Sequence, residues 1–266
     1  MTATTSAATR LLITGAAGGV GTILRTRLAG PGRIRRLLDL RPLTPGPDEE
    51  FVAADLADAD AVHQAAQDVD AIVHLGGHAK EAAWEDILRV NVGGTRNVLE
   101  AAREHGIDRV VIASSFHSIG WLPWRAEEEL PAATNPAPDS LYGWSKSAME
   151  SLGRLYADRF GMRVFCLRIG TCTARPRIAR QLSTWLSPDD AGRLIEACLS
   201  TEALGYHVVW GISANTRRWW SLAEGAAIGY HPKDDAERYA GDIPTDVPPG
   251  TLTGGPFCEV DLGSVM

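Results

Sequence analysis

Short apolar runs that end in small or polar residues alternate with amphipathic stretches from Arg10 to about residue 170. Arg10–Thr14 (RLLIT) stops at Gly15, and Val20 to Ala29 follows with helical spacing, so the pattern predicts strand, tight turn, helix. Ile34–Leu38 is a second strand ending in Asp39, and a Pro/Gly-rich loop follows it. Phe51–Ala54 is a third strand ending at Asp55, and residues 58–68 read as helix. Ala71–Leu75 is a fourth strand that runs into Gly76-Gly77. Trp84, Ile87, Leu88, Val92, Val98, Leu99 and Ala102 recur at helical spacing, which predicts one helix over 84–105. Arg109–Ala113 is a fifth strand, a polar loop with prolines covers 121–140, Tyr142–Phe160 is helix and Arg163–Arg168 a sixth strand.

Strands alternating with helices imply an α/β protein with a doubly wound parallel sheet. Such sheets bind ligands at the carboxyl ends of their strands, and here glycine and polar residues gather at every such end. After residue 170 the alternation breaks. Residues 188–200 form a helix with Ser187 as N-cap and Pro188 at its first position. His207–Trp210 is a short strand, and Trp219-Trp220, Pro232, Pro244 and a Gly/Pro-rich tail read as loops. The expected organisation is a dinucleotide-binding domain over 10–170 and a small substrate-binding lobe over 171–266 packed on it. Residues 1–9 read as a polar disordered arm, and the tail after 240 carries no readable function.

Composition narrows the function. The chain has 266 residues, 45% of them hydrophobic and 22% charged, which suffices for a core and excludes a disordered or low-complexity class. The net charge of −7 comes with no basic run, which argues against nucleic acid as partner. No segment has the roughly 18 apolar residues of a membrane span. The N-terminus lacks a secretory pattern, so a cytoplasmic protein is expected. Cys166, Cys172, Cys198 and Cys258 form no C-x-x-C pair, and no metal site is expected.

The sequence Gly15-Ala16-Ala17-Gly18-Gly19-Val20-Gly21 follows a strand and opens a helix. Glycines there permit the tight turn and let a pyrophosphate approach the backbone, and the helix N-terminus supplies amide donors. Asp39 ends the next strand, where a carboxylate accepts from both adenosine ribose hydroxyls and repels a 2′-phosphate. That favours NAD as cofactor, although Arg41 could pair with such a phosphate. Asp55-Leu56 suits the adenine, Asp55 accepting from its amino group and Leu56 packing on the ring; the other reading of Asp55 is a helix N-cap. Leu75, Gly76 and Gly77 let the backbone pass close to the cofactor.

Tyr142 and Lys146 stand at i and i+4, on one helix face, and Ser114-Ser115 ends a strand upstream. Taking hydride from a carbinol also requires removal of its hydroxyl proton. A phenol with a pKa near 10 is too weakly ionised for that at neutral pH, and a neighbouring ammonium lowers it. A serine hydroxyl then holds the substrate oxygen.

Together T-G-A-A-G-G-V-G, D-L, H-L-G-G, V-N-V-G-G-T-R-N, A-S-S and Y-G-W-S-K resemble the extended short-chain dehydrogenase/reductase superfamily, over residues 10 to about 170. The resemblance implies a Rossmann-type fold, NAD, Tyr142 as base, Lys146 as its partner and Ser115 as the positioning hydroxyl. It makes Asn91 a helix-interior group near the cofactor or, equally, a buried structural asparagine. It also implies a homo-oligomer, associating through the helices over 84–105 and 142–160.

Only 120 residues follow Lys146, which leaves room for a small free substrate rather than a nucleotide sugar. H-L-G-G at 74–77, S-S-x-H at 114–117, R-I-G-T-C-T at 168–173, L-S-T-W at 182–185 and V-V-W-G-I-S-A-N at 208–215 are similar to the uronate dehydrogenases, which oxidise C1 of a cyclic hexuronate to an aldarolactone. By that resemblance Arg180 clamps the substrate carboxylate, Thr171 adds a hydroxyl and His117 bonds the sugar. Arg175 and Arg177 read as surface residues. Phe116 and Ala79 depart from the family's asparagine and serine, which removes two polar groups and leaves Phe116 free to stack on the sugar. The alternatives are a dehydrogenase or epimerase of another small sugar or alcohol, and a non-catalytic NAD sensor. The presence of both Tyr142 and Lys146 argues against the sensor.

Overall fold

The computed structural model describes residues 10–124, 129–244 and 252–266; the arm at 1–9 and part of the loop at 121–140 lie outside the described residues. In chain order the strands are β1 (Arg10–Thr14), β2 (Ile34–Asp39), β3 (Glu49–Ala53), β4 (Ala71–His74), β5 (Arg109–Ser115), β6 (Arg163–Ile169), β7 (Thr171–Cys172), β8 (Trp185–Leu186) and β9 (Tyr206–Gly211). The helices are α1 (Gly19–Arg27), α2 (Ala59–Ala65), α3 (Trp84–Asp86), α4 (Gly94–Glu104), α5 (Leu141–Phe160), α6 (Gln181–Thr184), α7 (Pro188–Ser200) and α8 (Ala223–Ala227).

Seven strands form one parallel sheet in the order β3-β2-β1-β4-β5-β6-β9. Because strands within the sheet are buried on both faces, they read as continuous apolar runs rather than as alternating ones. On one face Leu24 and Leu28 beside α1 and Leu194, Ile195 and Cys198 of α7 pack with Leu11, Ile13, Val73 and Val111. On the other, Val62 of α2, Val98 and Leu99 of α4 and Met149 and Tyr156 of α5 pack with Leu12, Ile72 and Val110. Strand order reverses at β1, whose neighbours are β2 and β4, and the crevice opens above that point.

Three differences from the sequence reading matter. First, the sheet does not end near residue 170. β9 pairs with β6 and α7 covers the sheet, so the expected boundary cuts through the sheet-forming unit. The segment 170–187, with its short β7–β8 pair, interrupts the strand–helix period and hides the seventh strand. Second, β5 and β6 run further than their apolar cores, to Ser115 and Ile169, which pair with each other. Ladder hydrogen bonding carries β5 past its apolar residues to Ser115 and β6 past Arg168 to Ile169. Third, the single helix expected over 84–105 is three pieces: α3, a π-helical stretch over Ile87–Gly93, and α4. The wide turn holds Asn91 and leads into Gly93-Gly94. A Cβ at Gly94 would sit 2.8 Å from Leu56 Cβ, so the helix can pass this close only as glycine. Inserted π turns of this kind concentrate at functional sites.

Candidate active site

At the crevice the backbone of β1 meets the backbone of β4. Gly15 has φ +67°, and a Cβ there would lie 2.7 Å from Gly76 Cα. Gly76 in turn faces Leu56 Cδ1 at 2.5 Å from where its own Cβ would be. Gly18 is the N-cap of α1 with extended backbone and no side-chain cap, so the first-turn amides of Gly19, Val20 and Gly21 point outward for an anion. Gly21 packs its backbone against the Gly15 and Ala16 carbonyls, where no side chain fits.

Asp39 is buried, and its carboxylate accepts from Ala17 N and Arg41 N, both at 2.9 Å. Arg41 Nε lies 3.5 Å from the same group and is largely exposed. Asp39 therefore braces the glycine turn. Asp55 accepts from Ala57 N at 3.0 Å and from Arg89 Nη1 at 2.8 Å; its carboxyl is held below the ordinary value, chiefly by the Ala57 amide. The N-cap of α2 is Asp58, which accepts from Ala61 N, so Asp55 is not needed for that. An uncapped helix start, a glycine approach and an acidic strand end fit a dinucleotide with a pyrophosphate and free ribose hydroxyls.

Behind this corner runs a closed hydrogen-bond chain. Gly76 N donates to Thr14 Oγ1 at 3.2 Å, and Thr14 Oγ1 pairs with His74 Nδ1 at 2.7 Å. His74 Nε2 pairs with Thr95 Oγ1 at 3.0 Å, which donates to the Asn91 carbonyl at 2.6 Å. Every donor in this chain finds an acceptor when His74 is neutral. Burial pushes the His74 pKa down to about 3, with the Lys146 charge adding to it. Asn91 accepts from His78 N at 2.7 Å and donates to Ser145 Oγ at 2.9 Å. Its amide thus ties the Gly77-His78 turn to α5, as the structural reading of this asparagine requires. Gly77 has φ +141° and its Cβ position lies 2.8 Å from Asn91 Oδ1.

Ser115, Tyr142 and Lys146 line the same cavity as Val20, Leu75 and Gly77. Ser140 caps α5, accepting from Gly143 N at 3.0 Å, and Glu81 accepts from Tyr142 N at 2.8 Å. Tyr142 and Lys146 lie one turn apart on the buried face of α5, with Lys146 Nζ 5.6 Å from the Tyr142 ring centroid. Lys146 donates to the Ala113 carbonyl at 2.8 Å. The sequence reading has the ammonium lowering the phenol's pKa. The phenol is instead pushed up to about 12, because burial outweighs its hydrogen bond with Ser115 and Asp139 adds a negative charge nearby. Burial also brings Lys146 down to about 8. Beneath them Glu150 accepts from Arg168 Nη2 at 2.8 Å and from Ser114 Oγ at 2.5 Å, a buried pair that locks α5 to β5 and β6.

These groups open on a cavity of about 740 Å³. Val20, Leu75 and Gly77 line it from the cofactor corner, and Ser115, Tyr142 and Lys146 line its floor. Ala79, Phe116, His117, Thr171 and Arg180 complete the opposite wall. Thr171 Oγ1 lies 3.1 Å from Thr184 Oγ1. Arg180 donates from Nη1 to the Leu252 carbonyl at 3.3 Å, while its Nη2 is buried with no partner among the described residues. Burial pulls its pKa down. The Phe116 ring lies 5.3 Å from the guanidinium carbon, so Phe116 supports the arginine from below. Arg175 and Arg177 are exposed and do not line the cavity.

The C-terminal tail, mute in the sequence, forms a wall of this cavity through Gly254, Pro256, Phe257, Val260 and Met266. It is fastened by Thr253 N to Leu122 O at 2.8 Å, by Gly254 N to Gly120 O at 2.6 Å and by Gly263 N to Glu81 Oε1 at 2.8 Å. Sequence reasoning also missed Glu81, Asp139 and His74. The signal for Asp139 was its place three residues before Tyr142, next to the cap Ser140; Glu81 carried none. Among the described residues no cluster of His, Cys, Asp and Glu could hold a metal ion, and no helix is long and apolar enough to cross a membrane.

A parallel doubly wound sheet with a glycine turn at its switch point, an acidic strand end and a Ser/Tyr/Lys floor defines an NAD-dependent enzyme of the extended short-chain type. Residues 11–217 match the NAD dependent epimerase/dehydratase family, and the chain belongs to it. It is 44% identical to a uronate dehydrogenase of Pseudomonas putida over 262 residues, 96% of this chain and 97% of that one. It is 48% identical to a uronate dehydrogenase of Agrobacterium fabrum over 241 residues, 90% of each. Among solved structures, a tyrosine-to-alanine mutant of the Agrobacterium tumefaciens uronate dehydrogenase complexed with NAD superposes with TM-score 0.89 at 45% identity, covering 95% of this chain and 98% of that one.

Proposed function

We propose that this protein oxidises the C1 hydroxyl of a cyclic hexuronate, D-glucuronate or D-galacturonate, to the aldarolactone with NAD. The observation that carries this reading is Arg180. Arg180 lines the same cavity as Tyr142, and its guanidinium keeps Nη2 without a partner among the described residues. A buried cationic donor left unsatisfied costs several kcal/mol unless a ligand completes it. A carboxylate does so, with two oxygens matched to the planar fork. The relatives named above, which act on uronates by name, support the same conclusion.

In this reading the Gly15–Gly21 turn and the start of α1 hold the pyrophosphate, Asp39 the adenosine ribose, and Asp55 and Leu56 flank the adenine. Lys146 holds the second ribose. Bound NAD supplies the hydride acceptor and a positive charge. Tyr142 takes the proton of O1, and Ser115, within hydrogen-bond reach of the phenol, holds O1 during transfer. A phenol pushed up to about 12 is protonated before the cofactor binds, so Lys146 and the cofactor's charge have to bring it down. Arg180 and Thr171 fix the carboxylate at the far end of the cavity, which orients C1 toward Tyr142. Phe116 and Ala79 leave that wall less polar than a sugar site needs, and His117 supplies its remaining ring-hydroxyl contact.

The test is the initial rate of NAD reduction with D-glucuronate and D-galacturonate beside D-glucose and D-galactose. The uronates should be strongly preferred. Tyr142→Phe should abolish turnover while NAD binding persists. Equal or faster oxidation of the neutral sugars would overturn the uronate assignment, and NAD binding without any turnover would overturn the enzymatic one.

A further inference from the structure

Asp139 does not line the cavity; it lies behind the wall, against His117, which does. Its side chain is fully buried, and Oδ2 lies 2.6 Å from His117 Nδ1. Oδ1 accepts from Ser140 Oγ at 2.8 Å. Three glycines from distant parts of the chain make room for it. A Cβ at Gly120 or at Gly254 would collide with Oδ2, and one at Gly143 would lie 2.8 Å from Oδ1. Burying a charge this way is costly unless a partner uses it.

The partner is as tightly held. The His117 ring lies between Phe116, with centroids 4.1 Å apart, and Phe257, at 4.0 Å. One edge of the ring meets Asp139. Nε2 has no partner among the described residues, and His117 lines the cavity with Tyr142, their rings 5.7 Å apart. A carboxylate offers only lone pairs, so the proton of a neutral imidazole is held on Nδ1 and the lone pair on Nε2.

We propose that Asp139 is a positioning residue that fixes the tautomer and orientation of His117, making Nε2 an acceptor for one ring hydroxyl of the sugar. This rests on reading the cavity as an aldose site. An acceptor held between two aromatic walls accepts a hydroxyl and rejects a position that lacks one, so the dyad sets specificity without taking part in the chemistry at C1. It also restores polarity that Phe116 and Ala79 remove from the same wall.

The experiment compares kcat/KM for D-glucuronate and its 2-, 3- and 4-deoxy analogues in the wild type, Asp139→Asn, His117→Ala and the double variant. Asparagine keeps the shape but can offer its amide N–H to Nδ1, turning Nε2 into a donor. In the wild type one deoxy position should lose about 10- to 100-fold, and that contrast should shrink below about threefold in each variant. The double variant should be no worse than His117→Ala, and the NAD dissociation constant should not move. A contrast that survives Asp139→Asn, or an equal loss on all four sugars, overturns the proposal. A measurement that needs no variant is ¹⁵N NMR of the histidine side chains: His117 should carry its proton on Nδ1, and an Nε2–H tautomer overturns the proposal. If the wild type ignores uronates and oxidises a neutral aldose, the uronate reading fails, and the deoxy series of that aldose decides the dyad.

Discussion

Glu81 binds Gly263, 182 positions further along the chain. One carboxylate oxygen accepts the Gly263 amide at 2.8 Å and the other accepts the Tyr142 amide at 2.8 Å. A single buried carboxylate thus caps the helix that carries the phenol and pins the tail that walls the cavity. Glu81→Gln replaces one acceptor with an N–H that faces a backbone N–H. The cost should be about 1–3 kcal/mol of stability. Tail release should raise the KM for sugar several-fold and leave the NAD dissociation constant unchanged. Thermal melting, steady-state kinetics and the rate of proteolytic cleavage within 252–266 check this together.

Arg180 should trade stability against function. Its guanidinium is desolvated without a full set of acceptors, and burial pulls its pKa down. Arg180→Met should therefore raise the melting temperature of the sugar-free protein, by about 1 kcal/mol of stability. The same change should lower kcat/KM for uronates by roughly 100-fold or more, since a charge-assisted bidentate contact is lost. Added uronate should raise the melting temperature of the wild type in the presence of NADH and leave that of the variant unmoved.

Asp39 braces the glycine turn and, in the proposed site, selects the cofactor; its replacement should separate the two. Asp39→Ser removes the charge that repels a 2′-phosphate and frees Arg41, 3.5 Å away, to meet one. NADP use should rise from near zero. The brace from Asp39 Oδ2 to Ala17 N is lost as well, so the KM for NAD should rise by about tenfold or more. Rates with both cofactors at saturating sugar measure the change in preference.

His74 sets an acid limit on stability. Its pKa falls from 6.5 to about 3 on folding, because the buried ring is kept neutral between Thr14 and Thr95. Between these values the unfolded chain binds a proton that the folded chain does not. Stability therefore rises with pH through that window and is lost on acidification from pH 6.5 toward 3, on the order of 5 kcal/mol in all. Denaturant unfolding at a series of pH values should show this slope, and His74→Gln should flatten it. An unchanged slope in the variant would assign it to other groups.

What could be read from the chain itself were features repeated at short range. The strand–turn–helix at Gly15–Gly21, the Ser187-Pro188 cap and the Tyr142–Lys146 spacing each depend on a few neighbouring residues, because backbone conformation and helix periodicity are local. Arg180 was legible too, through its resemblance to a family pattern. The seventh strand was half legible: His207–Trp210 reads as strand, yet nothing local says that it pairs with β6 across the insertion.

The tertiary structure alone decided the rest. Asp139 seats between Gly120, Gly143 and Gly254, and Glu81 meets Gly263; both depend on how the segments after β4 and β5 and the tail close over one another. It also raises the Tyr142 phenol where a lowered one is expected, since burial outweighs its hydrogen bond with Ser115. Spacing shows which groups stand side by side, but desolvation depends on everything that packs around them. The sequence determined the sheet, the glycine turn and the spacing of Tyr142 and Lys146, and three-dimensional closure decided their surroundings, ionisation and the shape of the cavity they face.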